Sequence, residues 1–164
     1  PKVAKILLKN KINFKWTIVG HNIHKIKNES FVKKNIKYFN LVSNIENIDE
    51  DYFPNSKLIK LYQSSDLYLN LSRIESFGIT FIEALASKLP IITFDTKGAN
   101  EIVKNNYNGA IINNFNNKNY VQKIIFFIKN KIFFNKIKLN STRSIKKYDL
   151  ELVTNNILKI FKKI

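Results

Sequence analysis

The sequence predicts an α/β protein built on a doubly wound parallel β-sheet, with a C-terminal third that is helical. Short apolar segments typical of buried strands alternate with helical patterns at intervals of about 20 to 30 residues, the order expected of parallel strands joined by crossover helices. The chain has 164 residues, 45% of them hydrophobic, and its many Phe and Tyr residues can fill one core. We therefore expect a single domain over residues 1–164.

The first elements are a helix and a strand. Residues 1–10 show a helical pattern, and a strand would normally precede such a helix, so we expect the domain to be truncated at its N-terminus. The compact apolar run Trp16–Val19, closed by Gly20, predicts a buried strand. Helical spacing follows over residues 29–39.

The same alternation continues to the end of the chain. The predicted elements are, in order, a short strand within 38–44, a polar loop over 45–56 broken by Pro54, a helix at 56–65 with Ser56 as N-cap, a strand at 66–72, a loop and helix at 75–90, a strand at 90–94, a short helix at 100–103, a strand at 109–113, and helices from about Asn117 onward.

The charge of the chain admits two interpretations. The formal net charge is +16, almost all of the basic excess is Lys, and it accompanies many Asn, Ile, Phe and Tyr residues, the set that AT-rich codons produce. We attribute the charge to this composition and expect no nucleic-acid partner. A basic surface could still attract anionic lipid headgroups or other polyanions, so a non-catalytic polyanion-binding module remains an alternative.

Composition also limits the class of protein. The chain has no Cys, so it holds neither disulfides nor a thiolate metal site. No apolar run approaches the roughly 20 residues that span a bilayer, and the first ten residues do not resemble a signal peptide. We expect a cytoplasmic protein, with peripheral contact to the inner face of the membrane as a further possibility.

Three loops fall at the edge where parallel sheets bind ligands, beyond the carboxyl ends of the strands: 20–22, 72–78 and 95–101. In the middle loop, Glu75 precedes Gly78, which opens a helix whose N-terminal amides form an anion site. Glu83 lies eight residues beyond Glu75, about 12 Å away if the whole span is helical. Because this exceeds the separation of a paired acid and base, it suits the two ends of a ligand with an anionic middle, such as a sugar nucleotide.

Residues 61–109 resemble the nucleotide-binding half of family 4 (group 1) glycosyltransferases, which have the GT-B fold of two Rossmann-like domains facing a cleft. The matching elements are Ser64-Ser65-Asp66, Ser72-Arg73-Ile74-Glu75, the E-x7-E motif from Glu75 to Glu83, Leu89-Pro90, Gly98–Val103 and Asn108-Gly109. Each motif is weak alone, but the ordered set is specific. The resemblance implies that this Rossmann-like domain is one half of a GT-B enzyme.

The resemblance also implies roles for individual residues. Glu83 would accept hydrogen bonds from the donor ribose, and Glu75 would face the donor sugar as the catalytic residue. The implied donor-binding set is Gly20, His21, Arg73, Ser76, Phe77, Gly78, Ile79 and Glu83. The donor would be a UDP-, GDP- or ADP-sugar and the acceptor a glycan or lipid-linked molecule of capsule, lipopolysaccharide or glycolipid synthesis. No metal or other cofactor is expected, and the anomeric configuration would be retained.

The sequence departs from the family pattern at several positions. Lys97 stands where a glycine is common, and Ser87-Lys88 where Cys-Gly is common. Lys97 is either a phosphate contact or a surface lysine. The Arg and Lys that grip the donor diphosphate in the family would lie before Pro1, and the acceptor-binding domain is absent, so we expect this chain alone to be inactive.

Other interpretations of the candidate residues stay open. Glu83 could be a solvated helix residue, although its neighbours are apolar, and Glu75 could cap the helix. Arg73 is as consistent with pairing a carboxylate as with binding phosphate. His21 and His24 have metal-ligand residue types but no third ligand nearby in the sequence, which argues against a metal site. A GT-B sugar-nucleotide epimerase would bind a similar donor and is the enzymatic alternative.

Overall fold

The computed structural model describes residues 1–43 and 56–161. The helices are α1 (Lys2–Lys9), α2 (Ile23–Asn28), α3 (Ser30–Lys34), α4 (Ser56–Gln63), α5 (Ile79–Ala86), α6 (Lys97–Ile102), α7 (Asn117–Lys129), α8 (Lys131–Ser144) and α9 (Leu150–Phe161). The strands are β1 (Trp16–Val19), β2 (Phe39–Val42), β3 (Tyr68–Asn70), β4 (Ile91–Phe94) and β5 (Gly109–Ile112).

Every strand pairing in the described residues is parallel, as predicted. β1 pairs with β2 in one two-stranded piece, and β3, β4 and β5 form a three-stranded piece in that order. β4 is central in the larger piece, and all four of its residues are buried. Since a crossover helix or helical segment follows each strand, the chain is the predicted α/β fold with a helical C-terminus.

Helices cover both faces of the larger piece. One cluster of buried side chains joins β4 and β5 to α1, α7 and α8, and includes Ile92. A second cluster joins the opposite face of β4, through Ile91, to α4, α5 and α6. A third and smaller cluster holds Ala4 of α1, Val32 of α3 and Phe39 of β2. Successive buried residues of β4 therefore pack against the helical layers on opposite faces of the sheet, as in a doubly wound fold.

The helix after the central loop has well-defined ends. Gly78 precedes α5 in a left-handed conformation, with φ of 82°, which favours glycine. At the other end, the Leu89 amide donates to Ala84 O at 2.9 Å and the Lys88 amide donates to Leu85 O at 3.1 Å. This pair of bonds is a Schellman motif, and Lys88 occupies its left-handed position with φ of 62°.

Several predicted elements need correction. Trp16–Val19 is a strand but not a buried one, since three of its residues are half-buried and Val19 is 41% exposed. The helix predicted over 29–39 is only α3 followed by a 3-10 turn at Ile36–Tyr38, because Asn35 adopts a non-helical backbone between them. The sequence analysis also missed α2, a helix of one and a half turns.

The C-terminal third is helical but not continuous. Asn130 separates α7 from α8, and residues 145–149, which include a short 3-10 turn, separate α8 from α9. The predicted polar loop with Pro54 lies almost entirely outside the described residues. Within the described part of the chain, no helix is long and apolar enough to cross a membrane.

Candidate functional site

Two of the three segments predicted as loops are in direct contact, and most of the predicted loop 95–101 is in fact helix α6. The Gly98 amide, in the first turn of α6, donates to the backbone carbonyl of Glu75 at 2.9 Å. A Cβ atom added at Gly98 would lie 2.9 Å from the backbone of Ser76 and Phe77. Only glycine permits this approach, so Gly98 locks the loop before α5 against the N-terminus of α6.

The locked loop presents the N-terminus of α5 to solvent. Ser76, Phe77 and Ile79 are exposed, whereas Glu75 is half-buried and Gly78 is buried. Gly78 offers no side chain to cap the helix, and the first amides of a helix carry partial positive charge that favours anions. This arrangement has the open donors that a phosphate or sugar hydroxyl group would need.

Glu83 lies on the second turn of α5 and is held by a tyrosine. The Tyr62 hydroxyl, from α4, donates to Glu83 Oε2 at 2.9 Å. Burial is the main reason that the pKa of Tyr62 is raised, with Tyr68 and Glu83 adding to it, so the hydroxyl stays protonated and remains a donor. The bond uses one carboxylate oxygen and leaves Glu83, which is half-buried, with further acceptor capacity.

Tyr68 is affected by the charges of both glutamates. Its side chain bonds to Thr80, and the negative charges of Glu83 and Glu75 both raise its pKa, after the larger effect of burial. The predicted separation of about 12 Å assumed an unbroken helix, and that assumption is not met because α5 starts only at Ile79. Both carboxylates instead act on the half-buried Tyr68, the first residue of β3.

The sequence analysis did not identify Tyr62 and Tyr68 as site residues. Tyr62 falls within the helix predicted at 56–65, and Tyr68 within the strand predicted at 66–72. The signal that could have found them is chemical: a buried tyrosine hydroxyl needs a hydrogen-bond partner, and few carboxylates are available in a chain with 12 Asp and Glu residues.

The side chain of Arg73 is oriented by an aromatic ring. Its guanidinium lies 5.3 Å from the centre of the Phe115 ring, which follows β5, while the side chain stays exposed. Such a cation–π contact orients the guanidinium without neutralising it. Arg73 therefore keeps its charge at the same edge of the sheet as the loop containing Glu75.

Gly20 and His21 belong to the other sheet piece. The Gly20 amide donates to Val42 O at 3.2 Å, which places both residues at the carboxyl end of β1, and His21 is exposed. All other predicted site residues belong to the three-stranded piece. In residues 1–43 and 56–161, no group of three or more His, Cys, Asp or Glu side chains is arranged to hold a metal ion.

The chain is similar to a known family and to known proteins. The model of the family described as glycosyl transferases group 1 matches residues 2–147. The alpha-monoglucosyldiacylglycerol synthase of Acholeplasma laidlawii is 28% identical over 142 residues, which are 85% of this chain and 33% of that protein.

Solved structures share the fold. A variant of TarM from S. aureus, crystallised with Fondaparinux, alpha-GlcNAc-glycerol and UDP, superposes with a TM-score of 0.76 and 24% identity, covering 98% of this chain and 31% of that one. The C-terminal domain of a group 1 glycosyl transferase from Francisella tularensis gives a TM-score of 0.61 and 23% identity, covering 77% of this chain and 63% of that one.

The chain spans less than two thirds of each of these proteins. The family model nevertheless covers most of the 164 residues and every predicted site residue from Gly20 to Glu83. The chain belongs to the family of group 1 glycosyl transferases.

Proposed function

We propose that this chain is the C-terminal, nucleotide-sugar-binding domain of a retaining family 4 glycosyltransferase. The enzyme would transfer a sugar from a UDP-, GDP- or ADP-sugar to a glycan or lipid-linked acceptor. The observation that carries the proposal is the position of Glu83, whose carboxylate is oriented by Tyr62 one turn behind the open N-terminus of α5. A similar fold in a UDP-containing structure supports the same assignment.

The proposed donor would lie along the loop before α5. Glu83 would accept hydrogen bonds from the ribose hydroxyls, because a carboxylate is an acceptor at both oxygens. The amides of Ser76 to Gly78 would receive diphosphate or sugar oxygens, and Arg73 would add positive charge beside them. Glu75 would face the donor sugar near the reacting carbon.

We propose that catalysis depends on orientation and on stabilising the charge of the leaving diphosphate, without a protein nucleophile or a bound metal. The acceptor would approach the same face of the sugar that the diphosphate leaves, which retains the configuration. The helix amides point in a fixed direction before the reaction, so they cost no reorganisation when negative charge develops on the leaving group.

The remaining parts of the enzyme are proposals of the same kind. The acceptor-binding domain and a further grip on the diphosphate would come from polypeptide outside this chain, which alone would be inactive. The enzyme would act in the cytoplasm, peripheral to the inner face of the membrane, in capsule, lipopolysaccharide or glycolipid synthesis. An epimerase is not favoured, because the family and the relatives found are transferases.

Isothermal titration calorimetry of the chain with UDP, GDP and ADP tests the proposal. We expect one nucleotide to bind, and Glu83→Ala to weaken its binding by roughly tenfold to a hundredfold, the value of hydrogen bonds to a charged group. Glu151→Ala is the matched control, since Glu151 is an exposed glutamate in α9. Its nucleotide affinity should equal that of the wild type.

Salt separates the donor site from a lysine surface. Binding through Glu83 should persist when the salt concentration rises from about 50 to 200 mM, whereas binding to several lysines should fall by orders of magnitude. Equal, weak binding of all three nucleotides that Glu83→Ala leaves unchanged would contradict the role of Glu83. Repeating the titration with a longer chain that includes upstream sequence would show whether a missing phosphate grip caused the weakness.

A further inference from the structure

One helical layer of the protein carries no acidic side chain. The helices α1, α7 and α8 share one cluster of buried side chains on the same face of the three-stranded piece, and α7 contacts both α1 and α8. Residues 1–28 and 102–148, which contain all three helices, hold no Asp or Glu, although the chain has 12 such residues. A lysine-rich composition raises the number of basic residues everywhere, but it does not explain why one layer lacks carboxylates.

The exposed face of α8 combines basic and apolar side chains. Ile132, Lys136, Leu139 and Arg143 are all exposed and follow the spacing of one helix face. Ile132 is 90% exposed and Leu139 is 59% exposed. Two large apolar side chains therefore alternate with two cations along the outside of this helix.

The exposed faces of α7 and α1 have the same character. Lys118, Phe126 and Lys129 are exposed along one face of α7, and the Lys123 ammonium lies 5.1 Å from the centre of the Phe126 ring. The face of α1 adds three exposed lysines at helical spacing, Lys2, Lys5 and Lys9. We call the exposed sides of α1, α7 and α8 the basic layer.

The charge of the basic layer is largely uncompensated. Lys138 Nζ lies 3.9 Å from Oδ1 of Asp66, which precedes β3, and Glu29 lines the same cavity as Pro1 at the border of the layer. The exposed lysines of the three helix faces form no ion pair with a carboxylate of residues 1–43 and 56–161. Such a surface attracts a partner with a broad negative charge.

We propose that the basic layer is a docking surface for a membrane that contains anionic lipids. The lysines and Arg143 would contact headgroup phosphates, since juxtaposed basic side chains are attracted to an anionic leaflet. Ile132, Leu139 and Phe126 would enter the boundary between headgroups and acyl chains, as the apolar side chains of interfacial helices do.

The side chains favour a membrane over the other partners that a basic surface attracts. Proteins that bind single-stranded nucleic acid combine basic grooves with aromatic rings on which bases stack, whereas Ile132 and Leu139 are aliphatic. The core of a protein–protein interface is depleted of charged residues, whereas Lys136 lies between these two apolar side chains on the helix face. A lipid surface accommodates both kinds of side chain at once.

A membrane on the basic layer would leave the donor site open. The helices α5 and α6, which border the Glu75 loop, pack on the opposite face of the sheet, and the loop itself lies beyond the carboxyl ends of the strands. The assignment rests on the peripheral location proposed above but not on the donor site. Vesicle binding and nucleotide binding can therefore fail separately.

The last helix, α9, also exposes apolar side chains, Ile157 among them. Its first turn carries Glu151, and Asp149 precedes it. These carboxylates would be repelled by an anionic surface, so the absence of acidic residues distinguishes the basic layer from α9. Ile157 provides a matched control for Ile132.

Co-sedimentation of the chain with lipid vesicles tests the proposal. Vesicles of phosphatidylcholine alone are compared with vesicles of equal parts phosphatidylcholine and phosphatidylglycerol, which add negative charge to the surface. We expect binding to the anionic vesicles only, and weaker binding as the salt concentration rises, because salt screens exposed charges. Equal binding to both kinds of vesicle, or to neither, would overturn the proposal.

Charge reversal locates the contact. Lys118→Glu/Lys136→Glu changes α7 and α8, and the matched control Lys57→Glu/Lys60→Glu changes α4, on the opposite face, by the same net charge at exposed positions. Each lysine near an anionic surface contributes about fivefold to binding, so the test variant should bind at least tenfold more weakly than the wild type. The control should lose much less, and equal losses would assign binding to net charge alone and overturn the proposal.

A serine substitution tests insertion of the apolar side chains. Ile132→Ser should weaken vesicle binding by about tenfold, because it removes apolar area from the acyl boundary, and Ile157→Ser should leave it unchanged. A loss in Ile157→Ser alone would place the contact on α9. Equal vesicle binding by Ile132→Ser and the wild type, together with tight binding of a DNA duplex, would identify a general polyanion surface instead.

Two measurements separate these effects from misfolding and from the donor site. Circular dichroism and urea midpoints should match the wild type, because every substituted side chain is exposed. Calorimetry with UDP, GDP and ADP should give the same affinities for Lys118→Glu/Lys136→Glu as for the wild type. Lost vesicle binding with unchanged nucleotide binding is the result expected, and parallel loss of both would overturn a separate membrane surface.

Discussion

The two pieces of the sheet differ in how well their surroundings match their sequences. β4 is apolar apart from Thr93, and Ile91 and Ile92 are both fully buried. β1 has a similarly apolar sequence, but its residues are half-buried and Val19 is 41% exposed. The sequence of β1 is that of an internal strand, whereas its exposure in this structure is that of an edge strand.

This difference shows that strand sequence and strand environment are separate properties. A run of β-branched and aromatic residues favours an extended backbone whether or not both neighbours are present. Burial of the strand, in contrast, requires the neighbouring strands. The predicted strand at Trp16–Val19 was therefore correct in position and wrong in burial.

Matched isoleucine truncations give the largest expected contrast between the two pieces. Ile92→Ala in β4 should lower the free energy of unfolding by about 2 to 5 kcal/mol, because it leaves a cavity in a close-packed core. Ile18→Ala in β1 should cost less than about 2 kcal/mol, since Ile18 is half-buried and already borders a cavity. Urea denaturation measures both values, and equal losses would contradict the comparison.

The second contrast concerns a buried polar group in the larger piece. Because the pKa of Tyr62 is raised by folding, its contribution to stability is complete below about pH 10 and is lost as the pH rises above it. The free energy of unfolding should fall by up to about 1.4 kcal/mol per pH unit from this group.

Tyr62→Phe should remove this part of the alkaline loss, and Tyr107→Phe, at an exposed tyrosine, should not. Urea unfolding at several values between about pH 9 and pH 11 compares the three proteins. Lysine titration affects all of them alike. An unchanged slope in Tyr62→Phe would show that the hydroxyl is not held in its protonated form.

The smallest expected effect is a gain in stability, from a residue that leads into the larger piece of the sheet. Lys88 holds a left-handed conformation at the end of α5, which costs a residue with a side chain about 1 kcal/mol relative to glycine. Lys88→Gly should therefore raise the free energy of unfolding by about that amount. Lys60→Gly, in the exposed face of α4, is the opposite control and should lower it by about 1 kcal/mol. A lower free energy of unfolding in Lys88→Gly would show that the left-handed conformation of Lys88 does not cost the protein stability.

The sequence by itself determined the order of the strands and of most helices, because apolar runs and helical periodicity are local properties. It also placed Glu75, Gly78 and Glu83 around the start of one helix, since a loop, a glycine and a helix are adjacent in the chain. The family has glycine where Lys88 stands, and Lys88 is left-handed in the structure. The family's glycine therefore matches a local backbone conformation.

Tertiary structure alone decided which groups meet across the chain. The bond from Tyr62 to Glu83 spans 21 residues, and the contact of Gly98 with the loop before α5 joins two separate crossover units. Neither contact produces a periodic pattern in the sequence. The exposure of β1 was also undetermined, because burial depends on the strands that lie beside it, and strand pairing is a long-range property that local propensity does not encode.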